Sequence, residues 1–230
     1  MVIHGLQKLT VLDFPGKLAC TVFTAGCNLR CPFCHNARLV THPEEEDRLD
    51  EQEVLSYIYS RKTMLDGVCI TGGEPLLQKD IFGFIEKIKE TGLLVKLDTN
   101  GCFPEKLREL IDAKLVDYVA MDIKNSPEEY GKTVGVENFD ITPIKQSIEI
   151  LRESGIEYEL RTTVVRELHT GESLLGAAEF IAPQKKWFLQ SFVDSGDLIE
   201  GKFSAYDKQF MKELQESVSQ IVENVELRGV

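Results

Sequence analysis

Three cysteines close together are the residues of this chain that are best suited to chemistry. Cys27, Cys31 and Cys34 have the spacing C-x3-C-x2-C and follow the first apolar run of the sequence. Thiolates are soft ligands, which suit zinc or an iron–sulfur cluster. The chain has six cysteines in 230 residues, which is too few for a disulfide scaffold. Their clustering therefore indicates a metal centre in a reducing compartment.

The number of clustered thiolates favours an iron–sulfur cluster over zinc. A structural zinc ion takes four ligands, and the adjacent His35 would need awkward geometry to bind the same metal. Cys69 or Cys102 could complete a tetrahedron from another strand, so a zinc site stays open as an alternative. Three thiolates on a four-iron cluster leave one iron free to bind a further ligand. We therefore predict that the three clustered cysteines hold a [4Fe-4S] cluster.

A second candidate site follows the next apolar run. There Gly72, Gly73 and Glu74 stand directly before a proline. Two glycines in such a turn let the backbone approach a ligand closely, because neither carries a side chain. We therefore expect an exposed turn whose backbone carbonyl groups contact a ligand.

Charged residues end or interrupt the later apolar runs. The third run ends in DTNG (residues 98–101), the fourth ends in D-x-K (residues 122–124), and Arg161 lies inside the fifth. Charged tips are unusual for apolar strands whose role is only structural. Two alternatives stay open: Asp98 and Asp122 could cap the helices that follow, and Arg161 could pair with a core carboxylate.

Six apolar runs alternate with amphipathic segments, and both sets must position these residues. The candidate strands are Leu18–Thr24, Gly67–Thr71, Leu93–Asp98, Val116–Ile123, Tyr158–Val165 and Trp187–Phe192. The candidate helices are Glu51–Met64, Asp80–Glu90, Glu105–Ala113, Pro143–Ser154, Glu172–Ile181 and about Ala205–Val222. Near-continuous apolar strands that alternate with helices predict a parallel α/β sheet. A doubly wound sheet and a partial barrel both fit, and both bind ligands at the carboxyl ends of their strands.

Composition excludes several classes of partner. Acidic residues outnumber basic ones by 38 to 26, and the net charge of −12 would repel a nucleic-acid backbone. No window of the sequence is long and apolar enough to span a membrane. The first residues lack the basic start and apolar run of a secretory signal. We expect a cytoplasmic protein, with the charge run at residues 41–53 forming a solvated loop.

The cysteine segment and the strand ends resemble the radical S-adenosylmethionine (SAM) superfamily. Its signature is C-x3-C-x-aromatic-C directly after the first strand, with a GGEP turn one helix later. DTNG and D-x-K at the next strand ends resemble the activating enzymes of glycyl radical proteins. Residues 5–36 look most like the activating protein of anaerobic ribonucleoside-triphosphate reductase.

The resemblance implies a fold and cofactors. The fold is a single-domain, TIM-like partial (β/α)6 barrel over residues 1–230, with a short N-terminal extension at about residues 1–17. The cofactors are a [4Fe-4S] cluster and SAM, whose methionine part binds the open iron. An electron from the cluster then releases a 5′-deoxyadenosyl radical. Because cluster and cofactor carry the chemistry, no side chain need act as an acid or a base.

Individual site residues are also implied by the resemblance. Phe33 is expected to pack against adenine, although it could be a plain core residue, and the GGEP turn with Gly72, Gly73 and Glu74 is expected to bind the methionine amino group. The methionine end and the ribose are assigned to Asp122 and Lys124, and a further cofactor contact to Arg161. A monovalent cation beside the cofactor carboxylate is assigned to Asp98, Thr99 and Asp122.

The implied substrate is a glycine in a partner protein. By resemblance the partner is anaerobic ribonucleotide reductase, served by a flavodoxin- or ferredoxin-like electron donor. Two departures bear on this: Ala19 stands where pyruvate formate-lyase activases carry a basic residue, and the extra cysteines of multi-cluster activases are missing. Three alternatives stay open. They are a pyruvate formate-lyase-type activase, a radical SAM enzyme for a small molecule, and a zinc or iron–sulfur scaffold without catalysis.

Overall fold

The structure, a computed structural model, describes residues 1–44, 47–184 and 186–230. Its central element is one eight-stranded sheet. Its strands are β1 Ile3–Thr10, β2 Ala19–Thr24, β3 Gly67–Gly72, β4 Leu94–Thr99, β5 Tyr118–Asp122, β6 Glu157–Val164, β7 Trp187–Ser191 and β8 Val225–Arg228. The helices are α1 Ala37–Thr41, α2 Glu51–Arg61, α3 Ile81–Lys89, α4 Pro104–Asp112, α5 Pro127–Val134, α6 Thr142–Ser154, α7 Gly171–Ile181 and α8 Lys208–Val218. A 3-10 turn at Pro75–Leu77 follows β3.

The strand order decides between the two predicted architectures. Neighbours in the sheet run from β1 to β8 in chain order. The β1–β2 pair is antiparallel, and every later pair is parallel. A doubly wound sheet reverses its order at a switch point, whereas a barrel keeps adding strands in one direction. The predicted partial barrel is therefore confirmed, with β1 and β8 as its two edges.

The six predicted strands correspond to β2–β7, but two edge strands were missed. Residues 1–17 do not form a mere extension, because β1 lies in the sheet and pairs with β2. Its sequence mixes polar and apolar residues, as suits an edge strand with a largely half-exposed surface. The prediction also missed α5 and the four-residue β8, and it made the last helix too long.

Helix boundaries follow local chemistry. The Asp50 side chain accepts hydrogen bonds from the backbone N–H groups of Gln52 and Glu53 and so caps α2. At the other end of a helix, Gly155 has a φ of 72° and closes α6 in the left-handed conformation. Within the predicted loop at residues 41–53, α1 ends at Thr41 and α2 begins at Glu51, while residues 45 and 46 lie outside the described residues.

The barrel interior is charged beneath the carboxyl edge of the sheet. Lys96 and Asp98 alternate with apolar residues along β4, and Glu159 and Arg161 do so along β6. Alternate residues of a strand share a face, so each pair points the same way. Lys96 is 2% exposed and Glu159 is 1% exposed. None of the helices in the described ranges is long and apolar enough to cross a membrane.

Candidate active site

A pocket of about 270 Å³ opens at the carboxyl edge of the sheet. Eleven of the twelve predicted site residues line it: Cys27, Cys31, Phe33, Cys34, Gly72, Gly73, Asp98, Thr99, Asp122, Lys124 and Arg161. They come from the segment after β2, from the ends of β3, β4 and β5, and, for Arg161, from within β6. Parallel pairing brings these strand ends to one edge, so residues that are distant in sequence meet there. The exception is Glu74.

The cysteine segment is anchored through its backbone. The Gly26 N–H donates to the Leu39 carbonyl oxygen at 2.8 Å, and the Arg30 N–H donates to the Val134 carbonyl oxygen at 2.9 Å. Gly135 has a φ of +67°, and a Cβ there would lie 2.4 Å from the Arg30 carbonyl oxygen. The segment therefore packs tightly on the end of α5, and this contact fixes the loop that presents the thiols.

The three thiols fit an iron–sulfur cluster as a donor set. All three are free of disulfide bonds; Cys31 is buried, and Cys27 and Cys34 are half-buried. Burial raises the pKa of each thiol, to about 12 for Cys31, whereas the positive charge of Lys124 acts in the opposite direction on all three. A nearby ammonium favours the thiolate form, which is the form that binds iron.

The other cysteines do not offer a clear fourth ligand. Cys69 lies in β3 with its Sγ 3.8 Å from both the Lys96 ammonium and an Asp98 carboxylate oxygen. Cys102 is half-buried beside the cysteine segment but does not line the pocket. This arrangement gives the zinc alternative no support.

The Gly-Gly turn is joined to the cysteine segment. The Gly73 N–H donates to the Thr24 carbonyl oxygen and the Glu74 N–H to the Gly26 carbonyl oxygen, each at 2.8 Å. The Asn36 amide donates to the Gly72 carbonyl oxygen at 2.7 Å. A Cβ on Gly73 would lie 2.0 Å from the Gly26 carbonyl oxygen. The turn is thus half-buried rather than exposed, and the neighbouring loop already requires glycine at Gly73.

Glu74 points into the protein rather than into the pocket. Its carboxylate accepts hydrogen bonds from the Leu76 N–H at 3.0 Å, the Thr99 hydroxyl at 2.8 Å and the Asn100 N–H at 2.7 Å. Burial raises the pKa of Glu74 to about 7, against these three donors. The Glu74 carboxylate therefore does not line the pocket in which the cofactor contact was predicted. Glu74 instead ties the GGEP turn to the DTNG turn.

Five side chains form a row of alternating charge across the strand ends, which we call the charged row. Lys96 pairs with Asp98 Oδ1, and Arg161 Nη1 lies 3.1 Å from Asp98 Oδ2. Arg161 Nε then donates to Asp122 Oδ1 at 3.0 Å, and Lys124 Nζ lies 2.9 Å from Asp122 Oδ2. Although burial opposes it, Lys124 and Arg161 lower the pKa of Asp122 to about 2. Asp122 in turn raises the pKa of Lys124, so both groups stay charged.

The charged row settles two of the open alternatives. Asp98 and Asp122 do not cap helices, because the N-cap positions of α4 and α5 are Phe103 and Ser126. Arg161 does pair with carboxylates, but both of them line the pocket. The ion pairs therefore belong to the candidate site and not to a separate core.

A family model described as the Radical SAM superfamily matches residues 21–181. The chain belongs to this superfamily. Radical SAM enzymes use a [4Fe-4S] cluster and SAM, and these are the cofactors of the chain. The matched range runs from β2 to the end of α7 and so contains the cysteine segment and every strand end that lines the pocket.

Similar proteins of known family indicate the branch of the superfamily to which the chain belongs. A Methanocaldococcus jannaschii protein named as a glycyl-radical enzyme activating enzyme is 31% identical over 244 residues, covering 100% of this chain and 96% of its own length. The pyruvate formate-lyase-activating enzyme of Staphylococcus aureus is 37% identical over 138 residues, covering 54% of this chain and 53% of its own. Within the radical SAM superfamily, the chain belongs with the glycyl-radical enzyme activating enzymes.

Solved structures support the fold alone. A radical SAM methyltransferase from Sphaerobacter thermophilus superposes with a TM-score of 0.75 at 12% identity. The match covers 96% of this chain and 68% of the methyltransferase. At this low identity the likeness extends to the barrel and carries no statement about substrate.

The sequence left two environments open for Phe33, a core position and a cofactor pocket, and Phe33 has features of both. It is 5% exposed, and its ring packs edge-on against Phe203 and His169, with centroid separations of 6.4 and 6.5 Å. It also lines the radical SAM pocket. His169, which had no predicted role, makes a 2.7 Å contact between its Nε2 and the Lys124 carbonyl oxygen. His169 therefore helps to hold the backbone that carries Lys124.

Sequence reasoning missed several residues of the site. The Asn100 amide donates to Asn28 Oδ1 at 2.9 Å and lies 3.7 Å from the Cys27 sulfur. Asn36, Thr163 and Gln190 also line the pocket. A signal existed for two of them, since Asn100 belongs to the DTNG turn and Thr163 shares a strand face with Arg161. Gln190, on β7, had no motif to mark it.

Proposed function

We propose that this chain generates a glycyl radical in the anaerobic ribonucleoside-triphosphate reductase of the same cell, in the cytoplasm. A flavodoxin- or ferredoxin-like protein would supply single electrons. One observation carries the enzymatic part of the proposal: three free thiols, a glycine turn and four of the five members of the charged row line one pocket at the open edge of a barrel. The resemblance of residues 5–36 supports the choice of reductase.

Cys27, Cys31 and Cys34 would hold the cluster in this proposal. When bound, the reduced cluster supplies the electron that breaks the C5′–S bond of SAM, giving methionine and a 5′-deoxyadenosyl radical. The backbone of the Gly-Gly turn would bind the methionine amino group. Asp122 and Lys124 would contact the methionine end and the ribose, and Arg161 would make a further cofactor contact, because all three line the same pocket.

The titration behaviour of the pocket supports binding and orientation rather than proton transfer. The pKa of Asp122 is about 2, and neighbouring carboxylates raise the pKa values of Lys124 and Arg161. None of these three groups changes charge near neutral pH, where a general acid or base would need to do so. Glu74 has a pKa near 7, but its carboxylate faces the protein. The side chains therefore hold the cofactor in place.

A peptide substrate suits the open form of the sheet. Strand pairing runs from β1 to β8 in one direction, and the two end strands, β1 and β8, do not pair with each other. The barrel is therefore open. Cys27 and Cys34 are half-buried, which leaves the pocket accessible from outside. A protruding glycine loop could enter such a pocket, whereas a small metabolite would need enclosing walls.

Deuterium transfer tests the proposed substrate. The protein, reconstituted anaerobically and reduced, is mixed with SAM and with reductase deuterated at glycine Cα. We expect a glycyl radical doublet by EPR and deuterium in 5′-deoxyadenosine. Cys34→Ala protein is the control and should give neither signal. Label that never reaches 5′-deoxyadenosine, together with a small metabolite that consumes the radical, would overturn the proposal.

Pyruvate formate-lyase is a second candidate partner, because its Staphylococcus aureus activating enzyme is 37% identical over 138 residues. The same assay with pyruvate formate-lyase as the only partner distinguishes the two. We expect the reductase to show the glycyl radical doublet by EPR and pyruvate formate-lyase to show none. The reverse result would keep the activase reaction and change its target.

Cysteine variants test the cluster assignment. Anaerobic reconstitution should load about four iron atoms per chain, and Cys27→Ala, Cys31→Ala or Cys34→Ala should each abolish SAM cleavage. Cys69→Ala and Cys102→Ala are matched controls and should keep their iron. A full cluster in any of the first three variants, or a tightly bound zinc ion in the native protein, would contradict the assignment.

A further inference from the structure

Lys96 is a buried lysine that the cofactor assignment does not use. It lies on β4, is 2% exposed, and does not line the pocket. Its ammonium donates to Asp98 Oδ1 and lies 3.8 Å from the Cys69 sulfur. A buried ammonium is strongly unfavourable unless a carboxylate compensates it, so Lys96 and Asp98 must act together.

The family resemblance assigns a monovalent cation to the same place, with Asp98, Thr99 and Asp122 as ligands. Their oxygen atoms are already engaged by the protein. The two oxygens of Asp98 face Lys96 and Arg161, and the two of Asp122 face Arg161 and Lys124. The Thr99 hydroxyl donates to Glu74. A metal cation here would have to displace protein cations, so these residues do not fit the expected ion.

Charge balance leads to the same result. The charged row contains three cations, Lys96, Arg161 and Lys124, and two anions, Asp98 and Asp122. Its formal charge is therefore already +1. An additional cation would raise this charge in a partly buried row, where repulsion between like charges is less screened than in water.

We propose that the Lys96 ammonium supplies, at Asp98, the positive charge for which a monovalent cation would be expected. SAM binding by this chain is then independent of Na+ and K+. The inference rests on the proposed function, because it takes SAM to bind in the pocket above the charged row. Lys96 is a positioning residue: it holds Asp98, which holds Arg161 at the pocket wall.

Removing the ammonium should create a need for the metal ion. Lys96→Met keeps an apolar stem of similar length and leaves Asp98 Oδ1 without its cationic partner. The row then carries two cations and two anions. The vacated position beside a carboxylate oxygen is suited to a small hard cation, which binds oxygen ligands.

Calorimetry of SAM binding to the anaerobically reconstituted protein tests the inference. Affinity is measured in NaCl, KCl and tetramethylammonium chloride at one ionic strength, so that general screening is constant. The native protein should differ by less than about twofold among the three salts. Lys96→Met should bind about tenfold more weakly in tetramethylammonium chloride, and Na+ or K+ should restore much of the loss.

Lys89→Met is the matched control. Lys89 also pairs with an aspartate, at 2.6 Å from Asp117, but neither residue lines the pocket. This variant should show no dependence on the cation. A Lys96→Met protein that is as insensitive to salt as the native one would overturn the role of Lys96.

The native protein alone also decides the inference if Lys96→Met does not fold. Native SAM binding that requires Na+ or K+ overturns it and leaves the proposed function intact. Absence of SAM binding in all three salts overturns the proposed cofactor site, and the inference with it. Equal affinity in all three salts supports it without any variant.

Discussion

The pocket has two walls that are built from different interactions. One wall consists of the cysteine segment with the Gly-Gly turn and residues 99–101 of the DTNG turn, which we call the loop wall, and backbone groups and neutral donors join its parts. The other is the charged row, in which ion pairs connect β4, β5 and β6. The loop wall depends on close contact between backbones, whereas the charged row depends on charge balance. Substitutions in the two walls should therefore have different effects on stability and on cofactor binding.

One carboxyl group from each wall shows this difference most directly. Glu74 in the loop wall accepts three hydrogen bonds from uncharged groups, and burial raises its pKa to about 7. Asp122 in the charged row is less enclosed, with a side chain 31% exposed at the pocket, and Lys124 and Arg161 lower its pKa to about 2 although burial opposes this. Neutral donors hold a carboxyl group in position without securing its charge. Cationic partners do both.

The largest expected effect comes from adding one carbon to the loop wall. In Gly73→Ala the new Cβ would lie 2.0 Å from the Gly26 carbonyl oxygen, so one of the two loops must move. We expect a loss of about 4 kcal/mol in the free energy of unfolding of the cluster-free chain. Urea titration followed by the fluorescence of Trp187, the only tryptophan and fully buried, measures this loss. After reconstitution, weak SAM binding and low iron content should accompany it.

Gly83→Ala is the control for this comparison. Gly83 lies inside α3, and a Cβ there would meet no atom within 4 Å. Alanine favours a helix over glycine, so this variant should gain up to about 1 kcal/mol. If Gly73→Ala were as stable as Gly83→Ala, the close backbone contact between the two loops would not exist.

A smaller loss should follow when the charged row loses its central member. Arg161→Met leaves each aspartate with one lysine and removes the connection between β4 and β5. We expect a loss of about 3 kcal/mol in the free energy of unfolding, because a buried ion pair is broken on one side. Unlike Gly73→Ala, this variant should keep its iron after reconstitution and lose mainly SAM affinity.

Arg108→Met is the matched control for that variant, since Arg108 is exposed on α4. It should change the free energy of unfolding by no more than about 0.5 kcal/mol. Iron loss in Arg161→Met as severe as in Gly73→Ala would mean that the two walls form one unit, and the contrast between them would be wrong.

Local motifs made most of the fold and of the site predictable. Strands β2–β7 were predicted because each is a short apolar run bounded by turn residues. The edge strands β1 and β8 were missed because neither has such a run: IHGLQKLT is mixed in polarity and VELR is short. The clustered cysteines were found because their spacing is local. Their contacts with other loops depend on parallel pairing that no local pattern contains.

Side-chain direction within the site could not be predicted from the sequence. The resemblance assigned Glu74 to the cofactor as part of the GGEP turn, and in the structure its carboxylate turns towards Asn100 and Thr99. Lys96 was overlooked, although a lysine inside an apolar strand must have a buried partner. Arg161 carried the same signal and was assigned. An isolated charged residue inside an apolar strand therefore predicts a buried partner of opposite charge.

The smallest expected effect is a pH dependence that Glu74 should impart. Its pKa is about 7 in the folded chain, above the ordinary value of 4.5. Between these two values the folded state holds a proton that the unfolded state has released, so stability falls as pH rises. From about pH 5 to about pH 8 this group should remove about 2 kcal/mol from the free energy of unfolding.

Glu74→Gln isolates this contribution. The amide cannot ionise, so the variant lacks the slope, although its NH2 group would face the Asn100 N–H and lower stability at every pH. Burial lowers the pKa of His169, which makes stability fall towards acidic pH and so opposes the Glu74 slope. That contribution is common to both proteins and cancels in their difference. The stability advantage of the native chain over Glu74→Gln should therefore shrink as pH rises. A difference that stays constant would mean that the three donors keep Glu74 ionised, and the loop wall would then hold a fixed charge as the charged row does.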